Sequence, residues 1–249
     1  MVRINAKQQR RLVADPELST KKTLSGPASA PASAALLVPA ALLMGLPADA
    51  LAVPEVSSAL PSAFAAYGHY LGLVLVAMSL ATERVLIKPG MSEEDEQIMT
   101  FADIVYGLAG TLVLVTGYFR VTQYGKGWDF YSHEPIFWVK MLLFTVMGSS
   151  SLFPTIKIVQ RVIQKKNAED GKGEKPAPIS AKLAARITKV VNGELLALCS
   201  IPLAASLMSR GVGYADGLPW QAGAAPVALA TLGLGFKYTK EALSWTEDA

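Results

Sequence analysis

The sequence is poor in the residues that build disulfides, metal clusters and most soluble active sites. It has one cysteine, Cys199, which excludes an intramolecular disulfide and any multi-cysteine metal or iron–sulfur site. Walker loops, dinucleotide fingerprints, zinc-protease histidine pairs and Gly-x-Ser-x-Gly elbows are missing. Because Cys199 stands inside an apolar run, we expect a buried, unreactive side chain there.

Charge is also scarce. Only 17% of the residues are charged, whereas 51% are hydrophobic and the mean hydropathy is +0.34. This apolar content exceeds what an ordinary soluble surface tolerates, so the lipid bilayer is the first expected partner. A net charge of +3 without a basic stripe argues against a nucleic-acid partner.

Residues 1–52 are predicted to be a targeting segment, and residues 53–249 a membrane helix-bundle domain. A polar, basic stretch over residues 1–22 is followed by a short apolar stretch at 34–46 and by small residues around Ala50 and Ala52. This two-part layout resembles the address of proteins imported into a plastid and then into the thylakoid. A bacterial signal peptide, with an inner-membrane location, is the alternative.

The mature chain is predicted to be all-α, a polytopic bundle of four spans followed by a short apolar stretch, for which a fifth span is favoured over a re-entrant segment or an interfacial helix. The apolar stretches are 64–87, 101–120, 136–159 and 190–208, and the shorter one is 222–236. Ser92 and Ser180 are predicted N-caps, and Pro154 is expected to kink the third span. Gly107, Gly110 and Gly117 are expected to let a neighbouring helix approach closely.

Two connections differ strongly in composition. Residues 118–138 contain eight aromatic residues and a loop motif formed by Gly125, Lys126, Gly127, Trp128 and Tyr131. The connection over residues 157–189 carries nine Lys and Arg residues, and its part around 160–180 is expected to be mobile. The positive-inside rule therefore places the aromatic loop on the exported side and the basic connection on the opposite side.

Polar residues inside the spans fall into two layers when they are sorted by depth. His69 and Lys140 lie near the exported side. At the other level are Glu83, Arg84, Asp103, Asn192 and Glu194, which could form a mutually neutralising network. Because His69, Val76 and Glu83 are spaced by seven, we expect that face of the first helix to point into the bundle.

Each polar residue inside the membrane is a candidate for a functional role as well as for a structural role. The two layers, together with Arg120, are read either as paired structural residues or as a partner-binding surface. His69 is a candidate haem ligand through its imidazole, although a second axial ligand is not apparent. His133, in the aromatic loop, is expected to be an exposed loop residue. No catalytic residue and no metal site are predicted.

The stretch from Tyr67 to about Gln160 resembles domain-of-unknown-function family 2214, small membrane proteins of bacteria, cyanobacteria and chloroplasts. The matching pieces are His69-Tyr70-Leu71, Glu83-Arg84, Asp103-Ile104-Val105-Tyr106-Gly107, Thr116-Gly117-Tyr118-Phe119-Arg120, Gly125-Lys126-Gly127-Trp128, Phe130-Tyr131, Pro135-Ile136-Phe137-Trp138-Val139-Lys140 and Ser151-Leu152-Phe153-Pro154-Thr155.

The resemblance implies a non-catalytic thylakoid protein that helps to assemble or stabilise photosystem I, with photosystem I subunits or assembly intermediates as partners. His69 and Trp138-Val139-Lys140 are also similar to membrane-bound protoporphyrinogen oxidases. This implies a haem-binding membrane oxidoreductase as the alternative. A small transporter is a further alternative, and it would need a polar path between the two layers.

Overall fold

The computed structural model describes residues 54–246, with their side chains from residue 59. The targeting segment predicted over residues 1–52 lies outside the described residues. The described helices are α1 Pro54–Leu86, α2 Glu93–Thr122, α3 Trp128–Ser132, α4 Pro135–Ser150, α5 Leu152–Glu169, α6 Ala181–Ser209 and α7 Trp220–Leu243. No strand is present in this part of the chain, so the all-α prediction is confirmed.

Four segments are long and apolar enough to cross a membrane. They are Ala59–Leu86, Glu93–Thr122, Pro135–Glu169 and Ala181–Ser209, which correspond to the four predicted spans. Large apolar side chains such as Leu196 and Leu203 of α6 lie exposed on the outside of the bundle. Such exposure suits lipid, because the hydrocarbon core solvates apolar side chains.

The last helix, α7, is not among these four segments within the described chain. It is nevertheless 24 residues long, longer than the predicted stretch 222–236. It begins against Trp138 and lies along α4 and α5 until Trp245 packs on Phe153. Leu229 and Phe236 on its outer face are exposed, as expected for a helix beside lipid.

Local sequence signals set the beginnings of α2 and α6. The Ser92 side chain accepts a hydrogen bond from the backbone N–H of Asp95 at 3.1 Å, and Ser180 does the same for Leu183 at 3.0 Å. Both caps satisfy backbone donors that have no partner inside the helix. Both predicted N-caps are confirmed.

The third span is interrupted between α4 and α5, at Ser151. Pro154 has no N–H to donate and its ring crowds the carbonyl four residues earlier, which belongs to Ser150. The Ser150 and Ser151 hydroxyls instead donate to the carbonyls of Met147 and Gly148. The predicted effect of Pro154 is confirmed, and the break falls on the N-terminal side of the proline.

The helix connections define two ends of the bundle. The aromatic end comprises the end of α2, α3 and the beginning of α4, together with the end of α6 and the beginning of α7. The basic end comprises the end of α1, the beginning of α2, the end of α5 and the beginning of α6. The aromatic loop and the basic connection thus lie at opposite ends, as the alternating direction of the spans requires.

The basic connection is partly helical and tied to α2. Residues 160–169 belong to α5, where Arg161 and Lys165 both form ion pairs with Glu96, at 2.8 and 2.7 Å. Lys175 forms an ion pair with Glu93, in the first turn of α2. The dipole of α2 also favours acidic side chains in its first turn. Glu93 and Glu96 therefore stabilise the basic end through these ion pairs and through the helix dipole.

Two expectations about packing are wrong. Gly107 and Gly110 of α2 face open space, whereas the close approach of α1 and α2 occurs at Gly72, where a Cβ would lie 2.7 Å from a Val113 methyl. Cys199 is exposed on the outside of α6 rather than buried. Sequence spacing gives depth along a helix but not which residues meet a neighbouring helix.

Candidate functional site

A cavity of about 310 Å³ lies at the aromatic end, which we call the aromatic-end cavity. Helices α1, α2, α4 and α6 supply its walls, with Tyr131 of α3 at its edge. The three ionisable residues expected near this end, His69, Arg120 and Lys140, all line it. The structure therefore brings His69 and Lys140 to one place, as their equal depth predicted.

His69 is held by the neighbouring helix. Its Nδ1–H donates to the carbonyl oxygen of Val113 at 3.1 Å and lies 3.2 Å from the Thr116 hydroxyl. The ring packs against Gly117, where a Cβ would approach its Cε1 to 3.2 Å. Of the three predicted glycines of α2, Gly117 alone thus meets a neighbour. The second ring nitrogen, Nε2, has no hydrogen-bond partner among the described residues.

Arg120 and Lys140 bring two cations to the same cavity. Arg120 lies over the ring of Tyr70, 5.1 Å from its centroid, and it occupies the last turn of α2, where the helix dipole favours a cation. Lys140 has neither form of support, and no described residue pairs with its ammonium group. No Asp or Glu of the described chain lines the cavity.

The loop motif builds the rim of this cavity. A Cβ at Gly125 would lie 2.4 Å from the Arg120 carbonyl oxygen, and Gly127 has a φ of +85°, which disfavours any other residue. Tyr131 packs over Gly125, with its hydroxyl 2.9 Å from the position of that Cβ. The glycines therefore let α3 fold back tightly and place Tyr131 at the cavity.

Aromatic contacts hold the rest of the loop together. Trp128 meets Trp138 edge to face, with ring centroids 6.0 Å apart, and Lys126 lies 4.1 Å from the centroid of Phe130. His133 ends α3, and its Nδ1–H donates to the Asp129 carbonyl at 2.7 Å. His133 therefore lies in the connection between α3 and α4, as expected, but its side chain is only partly exposed, at 28%.

The second layer is a group of three buried acidic side chains, from three helices. Glu83, Asp103 and Glu194 are each less than 10% exposed and close enough to interact electrostatically. Thr155 donates to Asp103 at 2.7 Å and Ser150 to Glu194 at 3.1 Å, whereas Oε1 of Glu83 has no hydrogen-bond partner among the described residues. Val76 is 2% exposed on the same face of α1, so the predicted inward face is confirmed.

The expected neutralising network does not form. Arg84 points away from the three carboxyl groups and donates to the Asn192 amide oxygen at 2.6 Å, on the exposed side of α1. Successive residues of a helix are about 100° apart around its axis, so Glu83 and Arg84 cannot share one face. The carboxyl groups are thus gathered without a cation at this level of the described chain.

Apolar side chains separate the two layers. Val76, Met147 and Leu198 form the inner floor of the cavity and are each at most 7% exposed. The cavity does not reach the three acidic residues: Glu83, Asp103 and Glu194 are not among its lining residues, and Glu194 lies one helical turn before Leu198 in α6. No group of His, Cys, Asp or Glu in residues 59–246 is arranged to hold a metal ion.

Several cavity residues had not been singled out in the sequence as members of this layer. Tyr70, which supports Arg120, follows His69 directly and was noted only as part of a motif. Thr116, whose hydroxyl lies beside His69 but which does not line the cavity, was noted in the same way. Ser206 and Ser209 of α6 also line the cavity. Their position near the end of an apolar helix, level with Arg120, is the signal that could have identified them.

The comparisons with known proteins agree with this architecture. Residues 61–213 match the family described as Predicted membrane protein (DUF2214), a range that contains all four candidate spans except the first two residues of the first. No curated protein and no solved structure matches the chain. With more than half of its length matched, the chain belongs to this family of membrane proteins.

Proposed function

We propose that the protein is a non-catalytic membrane protein that holds a ligand in the aromatic-end cavity and acts as an auxiliary factor for a larger membrane complex. One observation carries this proposal: His69, Arg120 and Lys140, from three different helices, line the same cavity. Ionisable groups inside a bilayer cost several kcal/mol unless they are compensated, so their convergence favours a recognition site.

The hydrogen bonding of His69 and the permanent charge of Arg120 favour binding of a ligand over catalysis. The imidazole of His69 is held by a backbone carbonyl rather than by a carboxylate that would make it a stronger base. Arg120 stays charged at any physiological pH and serves recognition better than proton transfer. The arrangement suits positioning of a ligand rather than conversion of it.

The proposal also specifies which membrane complex the protein assists. The resemblance of the motifs between Tyr67 and Gln160 supports a role in assembly or stability of photosystem I in the thylakoid membrane. The aromatic loop supports this role as well. Its rings pack on one another, and such a preformed surface at the membrane boundary suits a docking partner. Partner and ligand would then meet at the same end of the bundle.

Loss and replacement of the protein test this function. In a photosynthetic host that lacks the chain, we expect photosystem I to accumulate to a lower level, and the wild-type chain to restore it. A Lys140→Met chain should insert at a normal level but restore photosystem I only in part. Normal photosystem I accumulation without the protein would contradict the proposal.

A haem-binding oxidoreductase is the second candidate, because one observation favours it. The Nδ1 hydrogen bond of His69 leaves Nε2 as the free nitrogen, which is the usual arrangement of a metal-ligating histidine. The cavity, at about 310 Å³, is at the lower limit of ligand pockets, so a large ligand would be held there only in part. A Soret band that is lost in His69→Ala would favour this candidate over the first.

A further inference from the structure

The aromatic-end cavity has an excess of positive charge among its lining residues. Arg120 and Lys140 are close enough to repel each other, and both also act electrostatically on His69. The nearest acidic residue along α4, Glu134, has Lys126 as its electrostatic partner instead. Two cations in a partly desolvated cavity without an acidic neighbour among its lining residues attract an anion.

Lys140 is the less compensated of the two cations. Arg120 has the Tyr70 ring and the end of the α2 dipole, whereas Lys140 lies in the second turn of α4, away from the C-terminal end where the dipole would favour a cation. An ammonium group placed there gains most from a charge-assisted hydrogen bond to an external oxyanion. Lys140 is therefore the residue whose charge the ligand should neutralise.

The deeper part of the cavity is apolar. Leu73 and Phe144 lie one helical turn further from the aromatic end than His69 and Lys140, Leu198 and Ile201 of α6 also line the cavity, and Met147 closes it toward the centre of the bundle. A small inorganic anion would leave this surface without a partner. A ligand that fills both parts needs a negatively charged head and an apolar part.

The depth of the cavity in the membrane indicates how such a ligand would be oriented. The two cations are level with the aromatic loop, and aromatic residues concentrate at the membrane–water boundary. The head of a membrane amphiphile would thus be held at the depth of the lipid head groups, while its apolar part would point toward the bilayer centre.

We infer that the aromatic-end cavity binds an amphipathic anion whose carboxylate or phosphate is held between Arg120 and Lys140. This inference rests on the proposed function and specifies its ligand. Phosphatidylglycerol represents a lipid with a phosphate head, oleate an amphiphile with a carboxylate, and inorganic phosphate the head alone. Phosphatidylcholine, which carries a compensating positive charge, is the matched lipid control.

The test uses the full chain, purified in a neutral detergent, with each probe titrated in turn while thermal unfolding and native mass spectra are recorded. We expect saturable binding of phosphatidylglycerol or oleate at one site per chain. Binding should weaken at least about tenfold in Lys140→Met and in Arg120→Gln, because each removes a charge-assisted hydrogen bond. Lys126→Met removes a cation from the same end that does not line the cavity, and it should leave the affinity for the anionic probes unchanged.

The Lys140→Met variant also controls for misfolding. Without ligand it should unfold at the same or a higher temperature than the wild type, because it loses an unpaired cation from the cavity, yet it should no longer respond to the anionic probes. Lys140→Arg should retain binding. A variant that simply failed to fold could not show this combination.

Three outcomes would overturn the inference: equal retention of phosphatidylcholine and phosphatidylglycerol, full binding by Lys140→Met, or inorganic phosphate binding as tightly as the lipid. Failure of the proposed function is a separate result. If the anion binds as expected but photosystem I accumulates normally without the protein, the ligand class stands and the auxiliary role falls. If no anion binds but Lys140→Met fails to support photosystem I, the reverse holds.

Discussion

Gly223 of α7 lies directly against the indole of Trp138 in α4, so closely that a Cβ on this glycine would come within 2.1 Å of the Trp138 Cγ. The contact joins the last helix to the third span at the aromatic end. Gly223→Ala should therefore force the two helices apart and destabilise the protein by about 1–3 kcal/mol, the usual cost of overpacking. Thermal unfolding in detergent measures this loss.

Gly233, on the same helix, is the matched control. Nothing lies within 4 Å of its Cβ position, so Gly233→Ala should stabilise α7 by up to about 1 kcal/mol through helix propensity alone. The two substitutions are chemically identical but should act in opposite directions. Equal effects at both positions would show that α7 does not pack on Trp138.

The unpaired Glu83 carboxyl gives a second prediction. Glu83→Gln should leave stability unchanged or raise it by up to about 2 kcal/mol, because removal of a buried ionisable group that lacks a partner is seldom harmful. The new amide can donate to Asp103 or Glu194, which interact with this position. Arg84→Gln, on the exposed side, should change stability by less than about 1 kcal/mol.

Unfolding temperatures of the two variants test this reading of the second layer. Strong destabilisation by Glu83→Gln would show that Glu83 is held as a charged group by a cation. That outcome would restore the neutralising network expected from the sequence.

Local signals in the sequence predicted the helix ends well, because caps and breaks depend on neighbours in the chain. Ser92, Ser180 and Pro154 each act on backbone groups within four residues. Depth was also predictable, since a helix rises by 1.5 Å per residue. For this reason His69 and Lys140 could be assigned to one level before the cavity was known.

Rotation about the helix axis was not predictable in the same way. Glu83 and Arg84 have nearly the same depth but face different neighbours, whereas Gly110 and Gly117, seven residues apart, share a face and only Gly117 meets a neighbouring helix. Which face meets which helix depends on the packing of the whole bundle. The sequence therefore suggested the members of the two layers, but not that one would hold only cations and the other only acids.

The buried carboxyl group of Glu134, just before α4, predicts a dependence on pH. Burial raises the pKa of Glu134 above its usual value, and Lys126 together with the backbone N–H of Ile136 opposes the shift only in part. A carboxyl group with a raised pKa binds its proton more tightly in the folded protein, so stability falls as the pH rises through the unfolded value of about 4.3.

Glu134→Gln should thus be more stable than the wild type near neutral pH, and the difference should shrink toward about pH 4. Lys126→Met should destabilise the wild type but not the Glu134→Gln variant, because Lys126 acts by offsetting that charge. Unfolding temperatures at several pH values measure both effects. A constant difference across this range would mean that Glu134 does not titrate abnormally.

The charge asymmetry of the connections predicts the orientation of the bundle. The connection after α5 is rich in Lys and Arg, so it should face the stroma, or the cytoplasm in a bacterial membrane, and the aromatic loop should face the exported side.

Two exposed acidic residues, Glu174 in the basic connection and Asp129 in the aromatic loop, allow a matched comparison. Each is replaced by cysteine in a Cys199→Ser background and treated with a membrane-impermeant maleimide. In intact thylakoids Glu174→Cys should be labelled and Asp129→Cys should not, whereas both should react after permeabilisation. Labelling of Asp129→Cys alone in intact membranes would invert the orientation and move the aromatic-end cavity to the stromal side.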